Sequence, residues 1–500
     1  MNKIKQILSK DKTKVILMCF ITSLLFLTLL SKNSFLYGFN DWEDANAFFT
    51  LGKSLFSGKI IYKDIFEQKG PFLYFIYGIG YLISNFNFLG VFFLEIIFST
   101  VFLYYIYKII NLYLDSKYGF IIIPIFTMLL YSSSAFRQGG SCEEFTFPFL
   151  AITIYNLLNF IKKDDIKYST VYITGILAGL IFLMKYTLLG INFAFMAYLF
   201  FALLRRKQVK KAFISAFIYI GGMLTAFLPW LIYFLCTNSL YSFYDVYIYT
   251  NLFAYTKTSV SIIDKILNCF ICCYKNLKDI GIHILILIGL SLLTILFNKE
   301  KRHDKLAIIC LFVFTVLFVY IGGIYFKYYG FPVLLFILFL LIFIFKTLSK
   351  KVNFNGKLFI PIFIISLIAS YYISGNTKFI GKDKNEYAVY KFKDIIMQEE
   401  NPTLLNYGWL DCGFYTVTGI VPNTKYFERQ NFEYKNFPEN MDEQNKYIEN
   451  KDIDFVVTAI RSDKDYPVTK YLDINYNKVM EFKVDYNYAI ETFALYKLKK

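Results

Sequence analysis

Eleven apolar runs divide this 500-residue chain, at 15–30, 88–107, 119–136, 145–161, 168–184, 186–204, 212–236, 279–297, 306–324, 328–345 and 358–374. Most reach the roughly 17–25 residues that cross hydrocarbon; 15–30 and 119–136 are at the short end. Composition points the same way. Hydrophobic residues make up 57% and charged ones 18%, with 43 Tyr and 57 Phe. That is more apolar surface than one water-soluble core can bury, and it excludes disordered, collagen-like and simple globular chains. Two His (His283, His303) argue against histidine-rich metal chemistry, and eight Cys do not make a disulfide scaffold.

The net charge of +16 would suggest nucleic acid in a soluble protein, but its distribution says otherwise. Six alternate gaps, at 1–14, 108–118, 162–168, 205–211, 298–305 and 346–357, hold 23 Lys and Arg against six acids. They carry +17, and the rest of the chain sums to −1. The positive charge therefore belongs to one side of a membrane, and positive-inside reasoning makes that side cytoplasmic. The expected topology is an N-terminus inside, eleven spans and a tail outside. The first run reads as a span rather than a cleaved leader, because no small-x-small site follows it.

The expected organisation is a transmembrane domain over 1–374 and an extracytoplasmic domain over 375–500. The tail holds 18 basic and 20 acidic residues, and short apolar runs alternate there with polar helical stretches. It reads as a small α/β domain. The outer segments are 31–87, 137–144, 237–278 and the tail. In the first, Phe48, Phe49, Leu51, Leu55 and Phe56 recur at helical spacing and predict a helix in the interface plane. Residues 72–83 predict a second such helix, begun by Gly70-Pro71.

Polar residues gather in this first loop: Asn40, Asp41, Trp42, Glu43, Asp44, then Lys63, Asp64, Glu67, Gln68, Lys69. Solubility alone would explain them. Yet Asp44 adjoins the first interfacial helix, where an N-cap role is also open to it. Lys69 precedes the second, so its ammonium stands at headgroup depth. A second cluster, Arg137-Gln-Gly-Gly-Ser-Cys-Glu143-Glu144, ends one span and begins the next. Two adjacent acids there need a cavity or a partner; the bland alternative is a dipole-favoured pair with Arg137 as partner. Glu95 lies inside the second span, as a functional carboxylate or a hydrogen bond between spans. Lys185 and Lys327 mark the outer ends of two spans, suited to a lipid phosphate or to snorkelling. Cys269-Ile-Cys-Cys273 lacks a second pair at zinc spacing and reads as helix content.

Together these residues resemble the GT-C glycosyltransferases that use polyprenyl-phosphate sugars. The relatives are the protein O-mannosyltransferases, the lipid A aminoarabinose transferases and a bacterial family 39-like branch. The resemblance is carried by Asp44-Ala-Asn-Ala-Phe-Phe and by Gly58-Lys-Ile-Ile-Tyr62-Lys-Asp64, followed by Lys69-Gly-Pro71. The Arg137–Glu144 cluster, Tyr328-Tyr-Gly-Phe-Pro332 and Asn406-Tyr-Gly-Trp-Leu-Asp-Cys-Gly-Phe-Tyr415 are similar to later blocks. Two acids stand where the family often has one, and Gly70 replaces a frequent Pro.

The resemblance implies a polytopic α-helical membrane protein of GT-C type, with about eleven spans and a small α/β tail. It implies transfer of a sugar from a polyprenyl phosphate to a cell-envelope glycan, lipid or protein at the outer face of a bacterial plasma membrane. Asp44 would be the general base, and Glu143 or Glu144 would support the acceptor or the developing charge. Lys69, with Lys185 or Lys327, would bind the donor phosphate. Asp41, Asp64, Tyr62, Arg137 and Tyr328 are further candidates. No cofactor or metal is required, although Asp41 and Asp44 offer oxygen ligands for a divalent cation. Membrane lipids are expected partners and nucleic acid is not. A lipid-linked polysaccharide polymerase or ligase fits less well, because loop 237–278 has neither Arg nor His. A transporter or flippase would favour repeated halves, which are absent from the sequence.

The charge parity carries a direct expectation. A reporter active only in the cytoplasm, fused after Lys500, should stay silent; activity there would overturn the assigned topology.

Overall fold

The computed structural model describes residues 2–254, 261–351, 358–460, 465–485 and 490–499. Lys357 of the last basic gap lies outside them. The chain forms two compact units, described in turn.

The first unit comprises Met1–Ser31, Phe93–Pro229 and Ser259–Lys378. The second comprises Lys32–Phe92, Trp230–Thr258 and Phe379–Lys500. In chain order the helices are α1 (Asn2–Leu30), α2 (Glu43–Phe56), α3 (Pro71–Ile83), α4 (Leu89–Ile110), α5 (Ser116–Tyr131) and α6 (Cys142–Lys163). Then come α7 (Tyr168–Phe182), α8 (Gly190–Arg205), α9 (Val209–Cys236), α10 (Leu240–Phe243), α11 (Ile262–Ile280), α12 (Ile282–Phe297) and α13 (Arg302–Val319). A 3-10 stretch, Lys327–Phe336, runs into α14 (Ile337–Leu348), and α15 (Phe359–Ile373) follows.

Helices occupy all eleven apolar runs, because hydrocarbon offers the backbone no other partner. Among the described residues, five segments are long and apolar enough to cross a membrane on their own: Asp11–Leu30, Leu89–Ile110, Cys142–Lys163, Val209–Cys236 and Lys327–Leu348. In the first unit α7 and α9 meet backbone to backbone. A side chain at Gly175 or Gly222 would overlap the carbonyl of Tyr219 or Tyr172, so small residues here permit the contact. Gly190 of α8 lies against the Phe314 carbonyl of α13 in the same way.

The basic gaps of this unit are joined to one another. Lys162 lies 3.4 Å from Glu300 and 3.1 Å from Asp304. The Tyr113 hydroxyl donates to Asp304 at 3.3 Å, and Lys346 pairs with Glu300. Arg206 pairs with Asp164, and Lys211 lies 2.8 Å from Asp165. Five of the six gaps are thereby linked, which places them on one side as the charge parity requires.

In the second unit, α2 and α3 form a tight hairpin. A Cβ on Gly52 would come 2.5 Å from the Gly78 nitrogen. The tail adds α16 (Ala388–Ile396), β1 (Leu404–Tyr407), α17 (Phe414–Thr418), α18 (Pro438–Glu449), β2 (Phe455–Ala459), α19 (Tyr471–Asn475), β3 (Tyr476–Asp485) and β4 (Ile490–Leu498). The sheet order is β1-β2-β4-β3; β1 and β2 are parallel and the other pairs antiparallel. Leu405, Tyr407, Met441, Ile448 and Val456 fill its core.

The tail and the first outer loop share this unit. The Thr50 hydroxyl donates to Asp411 at 2.6 Å, Lys53 donates to the Tyr415 carbonyl at 2.6 Å, and Thr416 donates to Asn46 at 2.8 Å. The helical spacing seen around Phe48–Phe56 does produce a helix. It does not lie on a lipid surface, however: Ala45 through Ser54 are all buried, because α3 packs on α2 and the tail covers its polar residues.

Candidate functional site

Each unit holds part of the expected residue set. In the second unit, Asp44 sits in the first turn of α2 and is not its cap; Trp42 holds that position without a side-chain bond. The Asp44 carboxylate is half-buried and makes no hydrogen bond or ion pair among the described residues. Asp41, three residues earlier, is sequestered. It accepts from Lys32 at 2.7 Å, both side chains are buried, and the Lys32 ammonium lies 3.6 Å from the Phe379 ring centre. One Asp41 oxygen is taken by Lys32 and the other has no hydrogen-bond partner among the described residues. Among the described residues no group of three or more His, Cys, Asp or Glu lies close enough to hold a metal ion.

Lys69 is held at both ends. Its N–H donates to Glu67 at 2.8 Å, and its carbonyl accepts from the Tyr62 and Tyr74 hydroxyls at 2.6 and 2.9 Å. Its ammonium stands 3.7 Å from Glu67 and keeps 19% of its side chain exposed. Tyr62 is buried and takes a left-handed backbone (φ 69°) in this turn. Asp64 closes the same loop by accepting from the Ile60 N–H at 2.8 Å. Both are supports for Lys69.

The tail contributes residues that the sequence reading did not single out. Asp411 lies within the Asn406–Tyr415 block, and Glu428 accepts from the Asp411 N–H at 2.5 Å and from Gln430 at 2.9 Å. Burial raises the Glu428 carboxyl well above its usual range, and Asp411, Glu67 and Asp44 push it the same way. Burial pulls Lys53 down to about 7, against the attraction of Asp411. These groups form a buried acidic nest beside the first-loop motif.

In the first unit the structure separates the two adjacent acids. Ser141 caps α6, accepting from the Glu144 N–H at 2.9 Å, and Glu144 accepts from the Gly140 N–H at 2.8 Å. Glu143 instead pairs with Lys185 at 2.6 Å. The Lys185 ammonium lies 3.8 Å from the ring centre of Tyr329 and 5.2 Å from that of Tyr328. Glu143, Lys185 and Tyr328 therefore meet, while Lys327 is exposed and stands apart from this pair. Arg137 takes a left-handed backbone, and its carbonyl accepts from Asn376 at 2.6 Å. Gly139 and Gly140 take positive φ, and Gly139 lies so close to Ser31 and Glu95 that a side chain would overlap them. Glu95 is fully buried and accepts from the Ser31 hydroxyl at 3.0 and 3.1 Å, a hydrogen bond from the end of α1 to α4.

Residues 68–233, about a third of the chain, match the family model described as dolichyl-phosphate-mannose-protein mannosyltransferase. The match includes Lys69, Arg137, Glu143, Glu144 and Lys185. No curated protein sequence matches the chain. Among solved structures, ArnT from Cupriavidus metallidurans bound to undecaprenyl phosphate is similar with a TM-score of 0.60 and 12% identity, over 97% of this chain and 98% of that one. This chain has a GT-C-type fold. The apo state of the same protein is similar to the same extent, at 10% identity. The archaeal oligosaccharyltransferase AglB from Archaeoglobus fulgidus, in complex with an inhibitory peptide and a dolichol-phosphate, gives a TM-score of 0.46 at 11% identity, over 90% of this chain and 69% of that one.

Within this GT-C fold the Glu143–Lys185 pair makes a firm prediction. Removing one partner of a buried pair leaves an uncompensated charge, typically about 3–5 kcal/mol. Lys185→Met should lower the thermal unfolding temperature markedly, and adding Glu143→Gln should restore much of it. A single variant as stable as the parent would contradict the buried pairing.

Proposed function

We propose that this chain is a membrane glycosyltransferase that moves a sugar from a polyprenyl phosphate to a cell-envelope acceptor. The observation that carries the reading is the likeness in fold along nearly all of both chains to ArnT bound to undecaprenyl phosphate. The first-loop and Arg137–Glu144 motifs support it independently. The proposed location is a bacterial plasma membrane, with a cytoplasmic N-terminus and the tail outside, supported by the linked basic gaps.

The chemistry follows from what each side chain has free. The acceptor oxygen attacks the anomeric carbon, the bond from that carbon to the phosphate oxygen breaks, and polyprenyl phosphate leaves with the electron pair. Asp44 takes the acceptor's proton; it is the one first-loop acid of its cluster that is half-buried, without a pairing partner and on a rigid helix end. Lys69 neutralises the leaving phosphate, since Glu67 holds it loosely and it keeps exposed surface. Lys327 is exposed and has no ion pair among the described residues. Lys185 is already neutralised by Glu143, so that pair positions the Tyr328–Tyr329 rings rather than adding charge. Glu144, bound to Gly140, holds the turn before α6.

Asp44→Asn tests the base. It keeps size and removes basicity, and losing a general base costs roughly 10²–10⁴ in rate. Folding and membrane insertion should be unchanged, because Asp44 makes no cap. Glu43→Gln, one residue away, is the control; Asp41 is unsuitable because its change would break the buried pair with Lys32. Lys69→Ala should weaken donor use far more than Lys63→Ala, whose side chain is exposed. A fully active Asp44→Asn protein would remove Asp44 from the mechanism.

A further inference from the structure

A cavity of about 190 Å³ lies wholly within the second unit, and its lining includes Asn33, Phe35, Asn40, Asn87, Lys384 and Tyr390. None of these has a role in the proposed transfer. Drug-sized pockets start near about 300 Å³, while a dry cavity of about 150 Å³ takes one small ring. This space therefore suits a headgroup-sized moiety.

Its open groups are donors. Lys32 also lines the cavity, but Asp41 cancels its charge. Lys384 is exposed, forms no ion pair among the described residues, and holds its ammonium 5.5 Å from the Tyr390 ring centre. The acids next to it, Asp383 and Glu386, are exposed and accept the Asn385 and Asp383 N–H at 2.7 and 3.1 Å, and neither is among the residues that line the cavity. Asn87 uses its oxygen to accept from Ser84 at 2.7 Å and from the Leu89 N–H at 2.9 Å. Its NH₂ group remains to donate. Lys393 adds positive charge 5.3 Å from the ring centre of Phe86, the neighbour of Asn87. Donors and surplus cations select an anion rich in acceptor oxygens.

One lining residue and the chain just before Asn87 are apolar and exposed. Phe35 lines the cavity with 66% of its surface exposed, and Leu82, Ile83 and Phe86 expose more than half of theirs. Exposed aromatic and aliphatic side chains beside lysines mark the boundary between headgroups and acyl chains. We propose that this cavity seats the phosphate of an anionic membrane phospholipid, with Lys384 and the Asn87 amide donating to its oxygens and Phe35 against its apolar part. The proposal stands whether or not the chain transfers sugars.

The test is a titration of the full-length purified protein in phosphatidylcholine nanodiscs containing increasing phosphatidylglycerol, with bound lipid counted by native mass spectrometry. Lys384→Glu should weaken phosphatidylglycerol binding about tenfold or more, and Asn87→Asp should act in the same direction. Lys483→Glu, an equal charge change at an exposed strand position, should leave binding near that of the parent. Lys384→Gln serves if the charge reversal does not fold, with a smaller loss expected. Soluble glycerol 1-phosphate should bind far more weakly than the lipid. Undiminished lipid binding by the Lys384 variants would overturn the site, and equal binding of glycerol 1-phosphate would overturn its assignment to a membrane lipid.

Discussion

Hydrocarbon offers no hydrogen-bonding partner, and the buried ionisable groups of the apolar helices are placed by that constraint. Charges within or beside the apolar helices persist only where the protein supplies a counterpart. Glu95 takes the Ser31 hydroxyl, Glu143 takes Lys185, and Asp304 takes Lys162 and Tyr113. The remaining charge is pushed to the helix ends. Basic gaps link through Glu300, Asp304, Asp164 and Asp165. The division of labour among the acids follows. A carboxylate that has a buried partner is held by it, and Asp44 has no hydrogen bond or ion pair among the described residues, which is why the proposed mechanism assigns it the proton.

This constraint also explains what the sequence reveals. Apolar runs and charge parity are local statistics, so all eleven helical runs were legible, as was the α/β character of the tail. The Asn406–Tyr415 block was visible only as a resemblance; the structure gives it a physical task, since Asp411 and Tyr415 receive Thr50 and Lys53 of α2. Contacts between residues more than 350 positions apart leave no periodicity to detect. The buried nest of Lys53, Asp411 and Glu428 was therefore unreadable, and α2 was expected on a lipid surface rather than under the tail.

Other differences came from partners that spacing cannot choose. Asp44 is two residues beyond the capping position, because Trp42 is the cap and the helix starts at Glu43. Asp41, offered by the sequence as a cation ligand, gives one of its oxygens to Lys32. Glu143 and Glu144, equivalent as text, diverge because a 3.6-residue helix turns one toward Lys185 and the other back toward Gly140. Tyr62 and Asp64, conspicuous in the motif, shape the turn that presents Lys69.

The central claim is that the chain consumes a lipid-linked sugar. The most direct measurement is release of polyprenyl phosphate by the purified protein, reconstituted with isotope-labelled polyprenyl-phosphate sugars and a cell-envelope extract as acceptor. The account predicts release of polyprenyl phosphate matched by label entering the acceptor fraction. Intact donor after prolonged incubation with every sugar tested, by protein shown to be folded, would contradict it.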